Sequence, residues 1–255
     1  MKIEKIGVQL YTVRDYMNTE EEIRETFKKL KDLGYDQAQT AGCKISYEAF
    51  GQLAKEAGIE IVGTHDNFEL MCTDFEKSFE NHKYLDTLNM GIGGYFHPTI
   101  EKNIDFIEKA NMVGEKIAKH GGKFTYHNHH QEFIKLENGK TTMDMLVEGL
   151  NPETTSFVLD TFWVQKGGSD VRYWIDKLAG RIDILHLKDM KVKMENDIFE
   201  QVYTEIGNGN LYWEGIIETA LNTGVKYFVV EQDVCPEDPF KSLKTSSDYL
   251  HKNFM

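Results

Sequence analysis

The sequence predicts an α/β chain of the single (β/α)8 barrel class. Short runs rich in Val, Ile, Phe and Leu alternate eight times with helical stretches across 255 residues, which is the size and rhythm of such a barrel. No glycine-rich GxGxxG turn follows the first run, which weakens the competing doubly wound sheet. Four later runs end in strongly hydrated side chains: SFVLD closes on Asp160, IDILH on His186, YFVVE on Glu231, and KFTYHNHH in a histidine cluster. Strands of this composition are buried on both faces, and a polar group ending one needs compensation. The strand C-termini of a barrel converge on one face, so the four ends are expected to share a site.

The first strand is KIGVQLY (5–11), followed by a helix over 19–34. There Thr19 and Glu22 have capping-box spacing, Ile23, Phe27 and Leu30 form an apolar stripe, and Gly34 supplies the C-terminal cap. A weaker second strand spans 35–40, and a second helix, also closed by glycine, spans 46–58. The third strand is 59–65, a helix covers 74–86, and the fourth strand is 87–95. A long amphipathic helix over 100–120 ends at Gly121 and Gly122. The fifth strand is 123–128, a short helix covers 142–149, and the sixth strand is 154–159. A helix at 171–178 leads to the seventh strand, 181–187. A polar excursion, 191–209, precedes a helix at 213–222, the eighth strand at 225–230 and a last helix at 239–252. With 4 prolines and no Ser/Gly/Pro-rich linker, residues 1–255 read as one domain.

The formal charge of −13 argues against a nucleic-acid or anionic-membrane surface. It leaves open a local basic spot for a sugar phosphate. Cys43, Cys72 and Cys235 are isolated and lack CxxC spacing, so neither a disulfide framework nor a thiolate metal site is expected. MKIEKIGVQL does not read as a signal peptide and no run approaches bilayer length, so a cytoplasmic location is expected.

Asp160, His186 and Glu231, on the sixth, seventh and eighth strands, form the core of the expected site. Each alone has an ordinary alternative, such as a helix cap or a satisfied core histidine. Together they are a nitrogen and oxygen donor set without thiolate, which suits Mn, Zn, Co or Mg. A fourth ligand is expected from the fifth strand. Alternation puts His127 and His129 on one face and Asn128 and His130 on the other. His127 is the expected ligand because it is nearer the regular strand, with His129 as the alternative. His65 follows the third strand, His97 the fourth, and Glu132 the histidine cluster, while Lys188 lies two residues past His186. Lys188 would stabilise a developing enolate or hold a hydroxyl or phosphate; its plain alternatives are a surface lysine or a partner of Asp189. Tyr11, Phe68, Phe96, Phe162 and Trp163 are candidates for the wall of a sugar pocket. Arg181, at the opposite end of the seventh strand, reads as a structural ion pair.

IGVQLYTVRD (6–15), YHNHHQEF (126–133), LDTFW (159–163), RIDILHLKD (181–189), IGNGNLYWEGII (206–217) and VVEQD (229–233) are the segments that carry a resemblance. Over nearly its whole length the chain resembles the xylose-isomerase-like barrel superfamily of sugar isomerases, epimerases and related dehydratases. The resemblance implies a divalent metal, with Asp160, His186 and Glu231 in matching positions. Many epimerases of that superfamily move a proton with two metal-bound glutamates, from the fifth and eighth strands. Here the fifth strand offers His127, and the second carries Gln39 where a glutamate is common.

The resulting expectation is a metal-dependent isomerase or epimerase working through an enediolate of a keto-sugar or related polyol. Glu231 would remove the proton, and Lys188, His129 or Glu132 would serve the second transfer. His65, His97, Tyr11 and Trp163 would contact substrate. The alternative is a dehydratase or lyase of a keto-sugar or inosose, similar to the 2-keto-myo-inositol dehydratase branch. A non-catalytic sugar-binding barrel is the third reading, and the net charge opposes an apurinic-site endonuclease. The expected partner is a small sugar or cyclitol, with a homodimer plausible for such barrels.

Overall fold

The computed structural model describes residues 2–255. Its barrel strands are β1 (Ile6–Gln9), β2 (Gln37–Thr40), β3 (Glu60–Thr64), β4 (Asn89–Ile92), β5 (Lys123–His127), β6 (Thr155–Asp160) and β7 (Ile182–Leu187). A hairpin of β8 (Asp189–Glu195) and β9 (Ile198–Thr204) precedes the eighth barrel strand, β10 (Tyr227–Val230). The eight parallel strands run in the order β3-β2-β1-β10-β7-β6-β5-β4, a nearly closed barrel with helices between. The seam between β3 and β4 is tied by Asp66 N–H donating to the Gly91 carbonyl (2.8 Å) and by Asn89 Nδ2 donating to the Val62 carbonyl (2.8 Å). A Cβ at Gly91 would lie 2.7 Å from the Thr64 carbonyl oxygen, so the close approach at this seam requires glycine.

Among the described residues ten α-helices, from α1 (Glu20–Asp32) to α10 (Pro239–Phe254), flank the strands. α1 buries Ile23, Phe27 and Leu30, the stripe seen in the sequence, and the Thr19 side chain caps it by accepting from Glu22 N–H. Inside the barrel the two-residue period sets what lies beneath the polar strand ends. Val158, Ile184 and Val229, each two residues before Asp160, His186 and Glu231, pack with Val62 into an apolar plug. Burying each such side chain contributes about 1.5–3 kcal/mol. Register then aligns the ends: Asp160 pairs with His186 across β6 and β7, and Gln9 with Gln39 across β1 and β2.

Three segments depart from the sequence reading. The helix expected over 74–86 is two, α3 (Phe68–Thr73) and α4 (Phe75–Tyr84), because Asp74 leaves helical geometry and its side chain caps α4. The first strand ends at Gln9, and a 3-10 helix (Leu10–Tyr16) continues. The polar excursion is largely the β8/β9 hairpin, whose turn residues Asn196 and Asp197 have φ of 51° and 61°. Two consecutive positive φ values favour Asn and Asp and match the twist of an antiparallel ribbon. Among the described residues no helix is long and apolar enough to cross a membrane.

Candidate metal centre and substrate pocket

His127, Asp160, His186 and Glu231, all buried, bring one donor atom each to within 4.8 Å of one another. His127 ends β5, Asp160 ends β6, His186 is the penultimate residue of β7, and Glu231 immediately follows β10. His127 Nε2 stands 3.3 Å from Asp160 Oδ2, and His186 Nδ1 is 3.7 Å from the same oxygen. His186 Nδ1 also approaches Glu231 Oε2 to 2.9 Å, yet the alignment leaves both atoms without a directed hydrogen bond. Asp160 is fixed from both sides, its Oδ1 accepting from Trp163 N–H (2.9 Å) and its N–H donating to Asn128 Oδ1 (3.0 Å).

The surroundings set the tautomers of both histidines. His127 Nδ1 lies 3.1 Å from the Gly93 carbonyl, which can only accept, so the ring proton belongs on Nδ1 and the Nε2 lone pair faces Asp160. His186 Nε2 lies 2.5 Å from Gln39 Oε1. Gln39 is oriented by Gln9, whose Nε2 donates to that oxygen at 3.2 Å, and Gln9 by Tyr11 N–H, which donates to its Oε1 at 3.2 Å. The backbone amide of Tyr11 thereby assigns Nε2–H to His186 and leaves Nδ1 as a free donor atom. Imidazoles that give their second N–H to a carbonyl or carboxamide are the pattern of metal-ligating histidines. Two such imidazoles and two carboxylates, with orphaned atoms among them, fit a divalent cation.

Charge points the same way. Burial alone would push the Asp160 and Glu231 carboxyls up, but the Lys188 ammonium and the adjacent imidazoles hold both well below the ordinary range. Burial opposes a proton on His186, yet Glu231 and Asp160 outweigh it and raise that ring. The cluster therefore draws positive charge. Lys188, 1% exposed, sits 2.9 Å from Asp160, 2.8 Å from Glu231 and 3.1 Å from Asp233. Its burial penalty is exceeded by these three carboxylates, so its ammonium is raised above its ordinary value.

A cavity of about 530 Å³ opens onto the cluster, lined by Tyr11, His65, His127, His129, Trp163 and Glu231 among others. His127 belongs to the four-residue cluster while His129 stands beside it, their rings 4.8 Å apart. Burial and the neighbouring His127 depress His129 to about 3, so it is neutral at pH 7. His65 accepts at Nδ1 from Gln9 Nε2 (3.2 Å), which leaves Nε2–H as a buried donor without a partner.

Two expected site residues lie elsewhere. Glu132 is fully buried behind β5, accepting from the Tyr126 hydroxyl (2.7 Å) and from His129 N–H (2.8 Å). His97 bridges the same hydroxyl (2.8 Å) and Asn103 (2.7 Å). Both line a smaller cavity of about 100 Å³ rather than the one at the cluster. Alternation is the reason: Tyr126 points away from the barrel axis, and Glu132 and His97 follow it outward. Lys188 lies under the cavity floor rather than in its wall. Asp189 does not pair with Lys188; it gathers Gly207 N–H, Gly209 N–H and Trp213 Nε1–H. Arg181 bonds the Val147 and Leu150 carbonyls instead of forming an ion pair.

Asp66, Tyr203 and Asp233 also line the cavity and were not singled out from the sequence. Asp233 was legible as the same-face neighbour of Glu231 in VVEQD. Tyr203 was hidden because its strand read as a polar excursion.

The model of the xylose isomerase-like TIM barrel family matches residues 27–252. The chain belongs to that family. An inosose dehydratase of Geobacillus thermodenitrificans is 26% identical over 160 residues, which are 57% of this chain and 53% of that protein. The match thus spans about half the length of that curated relative. An inosose dehydratase of Lactiplantibacillus plantarum is 21% identical over 249 residues, 83% of this chain and 80% of that protein. A sugar phosphate isomerase/epimerase from Parabacteroides distasonis ATCC 8503 superposes with a TM-score of 0.85 at 19% identity, over 98% of this chain and 94% of that one. At that identity the likeness is one of fold. The relatives of this xylose isomerase-like barrel are named as enzymes.

Proposed function

We propose that the chain is a divalent-metal-dependent enzyme that removes a proton from the carbon beside the carbonyl of a keto-sugar or inosose. The observation that carries this reading is the double placement of Glu231, which belongs to the ligand cluster and to the cavity wall at once. His127, Asp160 and His186 would hold Mn, Zn, Co or Mg together with Glu231. A cation there supplies Lewis-acid polarisation of the carbonyl, which lowers the pKa of the neighbouring C–H.

Glu231 takes the proton, and the released electron pair forms the carbon–carbon double bond of an enediolate. Lys188 acts from beneath by holding Asp160, Glu231 and Asp233 in place. In dehydration the pair then expels the β-hydroxyl, which accepts from Glu231 the proton just removed and departs as water, leaving Glu231 ionised again. Glu231 enters the cavity from the end of β10, so the proton is taken from and delivered to the same side of the substrate. That arrangement favours elimination. The relatives named inosose dehydratase point to the same outcome.

Isomerisation or epimerisation is the second reading. It is favoured by His129, whose Nδ1 is buried without a partner in the cavity wall on the β5 side, where a proton could be returned. Incubating the metal-loaded protein with keto-sugars and inososes in D2O separates the two. Loss of water with growth of an enone absorbance marks dehydration, and deuterium in recovered or epimerised ketone marks return. Glu231→Gln should lower either rate about 10²–10⁴-fold. Full activity of that variant would overturn the assignment of the base.

A further inference from the structure

Every charged side chain lining the cavity is acidic, and the divalent cation proposed above would be engaged by the reacting carbonyl. The cavity wall holds Asp66, Glu231 and Asp233, and among the described residues no lysine or arginine lines it. Two cations close to the wall are already engaged. Lys188 is 1% exposed and lies within 3.1 Å of three carboxylates. Arg14 donates to the Tyr11 and Asp233 carbonyls at 2.8 and 3.1 Å, and its guanidinium lies 4.2 Å from the centre of the Tyr11 ring.

Helix starts, the other common seat for an anion, are also taken. Asp160 Oδ1 accepts from Trp163 N–H at the start of α7 (Thr161–Lys166). Asn67 Oδ1 accepts from Leu70 N–H at the start of α3 (3.0 Å), and Asp66 Oδ1 accepts from Asn67 N–H (2.7 Å). What the wall does offer suits hydroxyls, which donate and accept together. Asp66 and Asp233 are acceptors, while His65 Nε2, His129 Nδ1 and Trp163 Nε1 are buried atoms without protein partners. Tyr11, Trp163 and Tyr203 add aromatic faces.

From this geometry we infer that the substrate is an uncharged polyhydroxy ketone, bearing neither a phosphate nor a carboxylate. The inference rests on the proposed proton abstraction for the position of the site, and it narrows the substrate class. It sets this chain apart from any relative whose substrate is a sugar phosphate, whatever the likeness of fold.

Ligand-observed NMR on Mg- or Zn-loaded protein tests it directly. The probes are D-fructose against fructose 6-phosphate and fructuronate, D-ribulose against ribulose 5-phosphate, and 2-keto-myo-inositol, with inorganic phosphate as competitor. At least one neutral ketone should bind, its charged counterpart should bind more than about 100-fold more weakly, and inorganic phosphate should not compete. A phosphate or carboxylate probe that binds as well as its neutral partner overturns the inference, as does a panel in which nothing neutral binds. Deuterium exchange on the same samples keeps the two ideas separate. Exchange into a phosphorylated ketone would sink the neutral-substrate inference and leave proton abstraction standing. Binding of a neutral ketone without exchange into any probe would do the reverse.

Discussion

Gln39→Leu tests whether the carboxamide pair behind the metal cluster does what its geometry assigns. Leucine is close in size to glutamine, so the position stays filled while the acceptor is lost. Two contacts disappear: His186 Nε2 to Gln39 Oε1 at 2.5 Å and Gln9 Nε2 to the same oxygen at 3.2 Å. The buried His186 Nε2–H is then unpaired, a cost of about 1–3 kcal/mol. It is partly offset because Gln39 Nε2 is itself a buried donor without a partner. The ring can escape the cost by moving its proton to Nδ1, the atom that faces Glu231 and Asp160, and that removes it as a ligand. Losing such an outer contact typically weakens metal binding by about 10–100-fold. The assay is a Mn²⁺ or Zn²⁺ titration against a competing chelator, with circular dichroism to establish the fold. Gln39→Glu, which keeps an acceptor and adds a charge, should bind at least as tightly as wild type. If Gln39→Leu stays folded and binds metal within about twofold of wild type, the tautomer argument fails.

Elemental analysis of protein purified without chelator should find about one divalent metal per chain in wild type and none in His186→Ala or Asp160→Asn; metal retained by both variants would show that it binds elsewhere. Tyr126→Phe removes the hydroxyl that donates to Glu132 and pairs with His97, leaving a buried carboxyl short of a donor. Urea unfolding should show a loss of about 1–3 kcal/mol, and a change below about 0.5 kcal/mol would mean that water replaces the contact. Burial lowers His82 and His97 below their ordinary 6.5, so the unfolded chain binds more protons than the folded one as pH drops. The stability they contribute is complete above about 6.5 and is lost on acidification, at up to about 1.4 kcal/mol per pH unit for each ring. His97→Gln should flatten the fall in urea midpoint between pH 7.5 and 5.5, and an unchanged slope would show that His97 does not titrate in this range.

The barrel was legible because its two periods survive in the chain. Ile23, Phe27 and Leu30 mark one face of α1, while SFVLD, IDILH and YFVVE run as fully or nearly fully buried strands. A polar residue closing such a strand is costly unless used, and that cost is what made Asp160, His186 and Glu231 stand out. The same logic could not rank His97 or Glu132. A polar residue just after a strand is equally well explained by facing inward to the cavity or outward to the helices, and the bend after His127 decides it. The chain turns there, so Glu132 reaches back to Tyr126 rather than forward to the cluster.

Gln9 and Gln39 were harder for a different reason. A neutral carboxamide in a short strand carries no charge whose burial demands an explanation, and its value here depends on an order of contacts. Tyr11 N–H fixes Gln9, Gln9 fixes Gln39 and His65, and Gln39 fixes His186. Each link is set by strand register, Gln9 opposite Gln39, and by which oxygen or nitrogen faces which, and neither property is local in sequence. A glutamate at position 39 would add a third carboxylate to Asp160 and Glu231 at the proposed cation site. The glutamine keeps the acceptor and withholds the charge, so the cluster retains two carboxylates against two imidazoles and Lys188. With a divalent cation held as proposed, its departure from the resemblance would change how that charge is balanced rather than remove a proton carrier.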